Sequence, residues 1–126
     1  MIVLDANVLI SYWGSPDAHT AAAYGILDTE EELVLHPVTL AESLVGPIKV
    51  GREADALAEF TRLGVERHDP PLDEPVRTAR LRVVTRLKLP DCYVLATAIQ
   101  HRSTLATFDQ RLADAARERG VIVVGA

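Results

Sequence analysis

Five short runs of apolar and β-branched residues punctuate the chain at wide intervals: IVL at 2–4, LVLH at 33–36, VERH at 65–68, TLAT at 104–107 and VIVV at 121–124. Longer segments with helical periodicity separate most of them. Strands spaced this way are not joined by hairpins. They need crossovers of a dozen or more residues, which join parallel neighbours and are almost always right-handed. The spacing predicts an α/β fold, a central parallel β-sheet flanked by α-helices in three layers. A length of 126 residues, 48% of them hydrophobic, suits a single domain over 1–126 with a core that needs no staples.

Local signals divide the connecting segments. Ser15 reads as an N-cap with Pro16 at the first helical position, opening a helix to about Leu27. A helix from Pro37 stops at Gly46-Pro47, and one from Gly51 to Leu63 is ended by Gly64. Residues 73–87 form a helix that Lys88-Leu89-Pro90 breaks. Asp91 to about Arg102 is helical again, and residues 109–119 form the last helix, stopped by Gly120.

Open parallel sheets bind ligands beyond the carboxyl ends of their strands. Asp5 follows the first strand and Asp109 lies just beyond the fourth, so both acids belong to that edge. Glu42 has two readings. T39-L-A-E42 matches a capping box, whereas a helix already begun at Pro37 puts Glu42 inside it, on a face with Val38 and Val45. Asp91 is either an N-cap or a member of the stripe Asp91, Val94, Leu95 and Ala98. Four acids converging on one site repel each other and take up protons unless a cation neutralises them. Hard divalent ions such as Mg²⁺ or Mn²⁺ prefer such oxygen ligands. They lower the pKa of bound water and stabilise charge on a phosphoryl centre.

The ordered segments V3-L-D-A-N-V-L-I10, T39-L-A-E42, L89-P-D-C-Y-V-L-A-T-A98 and L105-A-T-F-D109 resemble the PIN-domain family. Within it they resemble the VapC-type toxins of toxin–antitoxin pairs. The likeness spans essentially the whole chain. It implies a metal-dependent endoribonuclease in which Asp5, Glu42, Asp91 and Asp109 match the acidic quartet that holds Mg²⁺ or Mn²⁺. Asn7 and Thr107 match its supporting polar residues. It implies hydrolysis of RNA to 5′-phosphate and 3′-hydroxyl ends, a homodimer, and inhibition by a small VapB-like antitoxin. Family members vary near the fourth acid. Asp114 is the other candidate, although five residues along a helix it points away from Asp109.

The stretch from Arg77 to Lys88 holds five basic residues and no acid. It is a solvated helix face or a track for an RNA backbone, with Arg82 and Arg86 as the RNA-binding residues. Tyr12 and Trp13 suit packing or base stacking. His19, His36, His68 and His101 lack zinc-ligand spacing and read as surface or satisfied histidines. The lone Cys92 reads as a buried small residue and points to a reducing compartment. No signal-peptide pattern or apolar run of roughly 18 residues is present, so a cytoplasmic location is expected.

A net charge of −5 argues against a nucleic-acid coat protein, but not against an enzyme that carries metal on carboxylates. A receiver-like signalling domain would need an acidic pair after the first strand, and Asp5 stands without an acidic neighbour. A D-x-D phosphatase would need an acid where Asn7 stands. A catalytically inactive PIN-like scaffold is the remaining rival, and retention of all four acids argues against it.

Overall fold

The computed structural model describes all 126 residues. Strand β1 (Ile2–Leu4) leads into α1 (Ala6–Trp13) and α2 (Thr20–Leu27), and β2 (Leu33–Leu35) into α3 (Pro37–Lys49) and α4 (Glu53–Arg62). Strand β3 (Val65–Arg67) precedes α5 (Glu74–Thr85) and α6 (Leu89–His101). Strand β4 (Thr104–Ala106), α7 (Gln110–Glu118) and β5 (Val123–Val124) complete the chain. The strands form one sheet in the order β3-β2-β1-β4-β5, every pair parallel. This is the predicted α/β class.

Alternation along the strands separates two cores. Ile2, Leu4, Leu33 and Leu35 pack with Val8, Leu9, Leu27 and Phe60 on one face. Val3, Val34 and Leu105 pack with Val94, Leu95, Leu112 and the buried Cys92 on the other. Both faces are covered, which is why the central strands are apolar on both sides.

The chain moves outward from β1 through β2 to β3, then returns to β4 on the other side of β1. The topological switch point therefore lies between β1 and β4. Leu4 pairs with Ala106, and the Asp5 N–H donates to the Ala106 carbonyl at 2.9 Å. Asp5 and Thr107 thus leave the sheet side by side.

Several expected boundaries move. Helix α1 follows β1 at once, although its sequence ANVLISYW is β-branched and aromatic; Asp5 caps it by accepting from the Ala6 N–H. Ser15 does not cap α2, which starts at Thr20. Asp17 organises the turn instead, accepting from the His19 N–H at 2.7 Å while its own N–H bonds Thr20 Oγ1 at 2.8 Å. Gly46-Pro47 does not stop α3. Pro47 is buried within it, and its carbonyl accepts from Arg52 N. Helix α5 stops before Lys88-Leu89-Pro90, at Thr85, where Arg86 takes a left-handed φ of +60°, and the proline lies within the first turn of α6 rather than preceding it, because its fixed φ suits that turn. Gly64 and Gly120 take left-handed φ of +78° and +75°, as their helix-stopping role requires.

Candidate functional site

Asp5 is a buried carboxylate, 6% exposed. Its Oδ1 accepts from the Ala6 N–H at 2.7 Å and its Oδ2 from the Thr107 hydroxyl at 2.7 Å. Thr107 Oγ1 in turn accepts from Asn7 Nδ2 at 3.3 Å and from the Asp109 N–H at 3.0 Å. Asn7 Oδ1 accepts from the Phe108 N–H at 3.2 Å. One hydroxyl thus joins the exit of β1, the start of α1 and the exit of β4. A Thr107→Val variant strands the donors of Asn7 and Asp109 and removes a bond to Asp5. The expected loss is about 1–3 kcal/mol of stability, read by chemical denaturation, whereas Thr107→Ser retains most of it. Equal stability of the valine variant and wild type would contradict this.

Asp109 caps α7, its Oδ1 accepting from Arg111 N at 2.8 Å and Leu112 N at 3.2 Å. Its Oδ2 takes no bond within the chain. The capping role and a role in the site are therefore compatible. Asp114 accepts from Gln110 Nε2 on the exposed flank of α7 and is not among the mutually repelling acids.

Glu42 lies inside α3, so the capping-box reading fails: His36 is the N-cap and Pro37 the first helical residue. The face it shares with Val38 and Val45 is not core, since Val45 is 52% exposed. It lines a groove between α1 and α3 of about 620 Å³, whose walls include Ile10, Trp13, Val45, Val50 and Arg52. The Arg52 guanidinium lies 5.1 Å from the Trp13 ring centre. Asp91 sits in the first turn of α6 and is not its N-cap, which is Lys88.

The four acids feel one another. Burial raises the Asp5 carboxyl above its ordinary range, the bonds from Thr107 and Ala6 oppose this, and Asp109 adds to it. Burial, then the charges of Asp5 and Asp91, raise Glu42. Burial, then Asp5 and Asp109, push Asp91 up to about 6, against Lys88 and Arg111. No hydrogen bond offsets the rise at Glu42 or Asp91. These two carboxylates are thus partnerless and proton-hungry.

No group of three or more His, Cys, Asp or Glu side chains is placed to hold a metal ion between them. The donor set nevertheless fits a hard divalent ion. It is all carboxylate, and two of its members are unpaired. Mg²⁺ in particular keeps several waters and is held by one or two carboxylates, so an open arrangement suits it.

Lys88 and Arg111 are the cations whose charges act on Asp91. Arg111 was absent from the sequence reading, and its only sequence cue is its place in the turn after Asp109. Arg82 and Arg86 are exposed on α5 and its C-cap. The Tyr12 hydroxyl donates to Glu59 and its ring lies 4.7 Å from that of Tyr24, a packing role.

Fold and site together define a three-layer α/β protein with acidic side chains at the switch point of a parallel sheet. More particularly, the chain belongs to the PIN domain family, whose family model matches residues 2–118. It is similar to a chain of a toxin–antitoxin complex from Klebsiella pneumoniae, at 26% identity and TM-score 0.73, covering 86% of this chain and 87% of that one. FitAcB from Neisseria gonorrhoeae matches at 27% identity and TM-score 0.68, covering 98% and 96%. VapC20 from Mycobacterium tuberculosis, a Sarcin-Ricin loop cleaving toxin, shares the fold at 15% identity and TM-score 0.75, covering 91% and 95%. No curated protein matches the chain. No helix is long and apolar enough to cross a membrane.

Proposed function

We propose that the protein is a Mg²⁺- or Mn²⁺-dependent endoribonuclease, the toxin of a toxin–antitoxin pair, acting as a single domain in the cytoplasm. The observation that carries this reading is that Glu42 and Asp91, raised by burial and by the charges of neighbouring acids, have no hydrogen-bond partner in the chain. Charges so arranged are costly unless a cation joins them. Asp5, Glu42, Asp91 and the free oxygen of Asp109 would hold the ion, with Asp5 oriented by Thr107, which Asn7 in turn holds. When bound, a divalent ion lowers the pKa of water and neutralises charge on the scissile phosphate.

The test is cleavage of structured RNA with Mn²⁺, with Mg²⁺ and with chelator. Metal-dependent scission leaving 5′-phosphate and 3′-hydroxyl ends is the expected result. Cleavage that persists in chelator refutes the metal mechanism, and none across many RNAs favours an inactive scaffold.

Arg82 and Arg86, with Lys88 and Arg111, supply the positive surface for the RNA backbone. Replacing Arg82 and Arg86 with Gln should weaken RNA binding. It should also flatten the log affinity–log salt slope by about 1.4, at about 0.7 per single-strand phosphate contact. An unchanged slope in a filter-binding titration would exclude them. The groove beside Glu42 suits a small antitoxin, its apolar walls taking aliphatic side chains and its acid a basic one. The net charge of −5 favours such a basic inhibitor segment. A homodimer is the proposed assembly.

A further inference from the structure

A chain of hydrogen bonds that no reaction step uses links the exits of β2 and β3 to α5 and α6. His36, His68 and Glu74 are only 3%, 4% and 3% exposed. His36 Nε2 lies 2.5 Å from Glu74 Oε1, and His68 Nε2 lies 2.9 Å from Glu74 Oε2. His68 Nδ1 meets His101 Nε2 at 2.8 Å. At the other end, His36 Nδ1 accepts from the Val38 backbone N–H at 3.0 Å.

That last bond fixes the chemistry of His36. A backbone amide can only donate, so Nδ1 carries a lone pair and the ring proton sits on Nε2, facing Glu74. Glu74 thereby selects the tautomer that lets His36 cap α3. The same assignment leaves Nε2 without a lone pair, so His36 is not a metal ligand here.

The cap bears on the acids through geometry. His36 ends the β2 exit and starts α3, the helix that carries Glu42. Its ring lies 4.7 Å from that of Tyr93, which stands on α6 two residues after Asp91. Helix α6 ends at His101, the far member of the same chain of bonds. Glu42 and Asp91 have no hydrogen bonds of their own to hold them. Their placement therefore depends on the helices that bear them.

We propose that His36, held by Glu74 as its Nε2–H tautomer, is a positioning residue for Glu42 and Asp91, acting through the α3 cap and the Tyr93 contact. The metal readout below rests on the nuclease reading; the cap readout does not.

Three variants separate positioning from general stability: His36→Ala, His36→Asn and His68→Leu. Asparagine is a strong N-cap, though shorter than histidine and without its reach to Glu74. Leucine at 68 breaks the same network without touching the cap. Mn²⁺ affinity is measured on each folded protein by the spin resonance of the free ion. His36→Ala is expected to weaken binding about 10- to 100-fold, the usual range for residues that orient metal ligands. His36→Asn is expected to recover most of the loss. His68→Leu is expected to lower the melting temperature while keeping affinity near wild type.

Wild-type affinity in His36→Ala, no recovery in His36→Asn, or an equal loss in His68→Leu would each overturn the proposal. Hydrogen exchange at the Val38 amide gives a second readout, faster in His36→Ala and restored in His36→Asn. If wild-type protein binds no Mn²⁺, the nuclease reading fails. Val38 exchange then still decides the cap, and equal protection in wild type and His36→Ala overturns it. Should His36→Ala not fold, His36→Asn against His68→Leu carries the comparison, and an affinity no higher in His36→Asn overturns the proposal.

Discussion

An Asp5→Asn variant is expected to fold and to lose RNA cleavage by about a thousandfold. Loss of a carboxylate from the ion's set removes several kcal/mol of transition-state stabilisation, at about 1.36 kcal/mol per decade of rate. Folding survives because the hydrogen-bond frame can be rebuilt. Asparagine keeps an oxygen for the Ala6 N–H and turns its amide toward Thr107 Oγ1. That oxygen already accepts from Asn7 at 3.3 Å and Asp109 at 3.0 Å, and the longer bond is the one to yield. A second consequence is independent of catalysis. Asp5 is one reason Asp91 is pushed up to about 6 and one reason Glu42 is raised. Neutralising it should lower the titration midpoints of both, read by carboxyl NMR without metal. Full cleavage by Asp5→Asn would remove Asp5 from the site. Unmoved midpoints would show that the acids do not share one field.

The sheet was legible because short β-branched runs such as LVL at 33–35 and TLA at 104–106 carry their own boundaries. Adjacency of β1 and β4 then brought Asp5 and Thr107 together across a long stretch of chain. Helix α1 was not legible. Its residues favour strand locally, and a cap from Asp5 with burial of Val8 and Leu9 overrides that preference. Glu42 was ambiguous because T39-L-A-E42 fits a capping box, and only His36, an uncommon cap, settles where α3 begins. The histidines show the limit most clearly. Reading them as satisfied was right for His36 and His68, yet their partner Glu74 comes from another element and no spacing announces it. Long-range polar partners leave no periodic trace.

With metal chelated, the melting temperature of Asp91→Asn should exceed that of wild type, by a margin that widens from pH 5 to pH 7. The sign follows from linkage. The Asp91 carboxyl is raised from 3.8 to about 6 in the folded protein, so the folded state holds a proton that the unfolded chain has already released. That contribution is fully present below the unfolded value and is lost as pH rises through about 6. Above it, wild type carries an uncompensated charge beside Asp5 and Asp109 that asparagine does not. Taking the difference between the two proteins cancels the titratable groups common to both. Among them is Glu59, whose carboxyl is held down at about 2 by Arg62 and Tyr12. Saturating Mn²⁺ should reverse the order at pH 7. Metal binds the deprotonated site of the folded protein and stabilises wild type in proportion to the logarithm of its concentration over Kd. The expected difference is a few degrees for a chain of this length, read by calorimetry in chelator and in Mn²⁺. A margin that stays flat between pH 5 and 7 would mean that Asp91 does not titrate under the influence of the other acids. An order that Mn²⁺ leaves unchanged would mean that the charge at Asp91 serves something other than a cation.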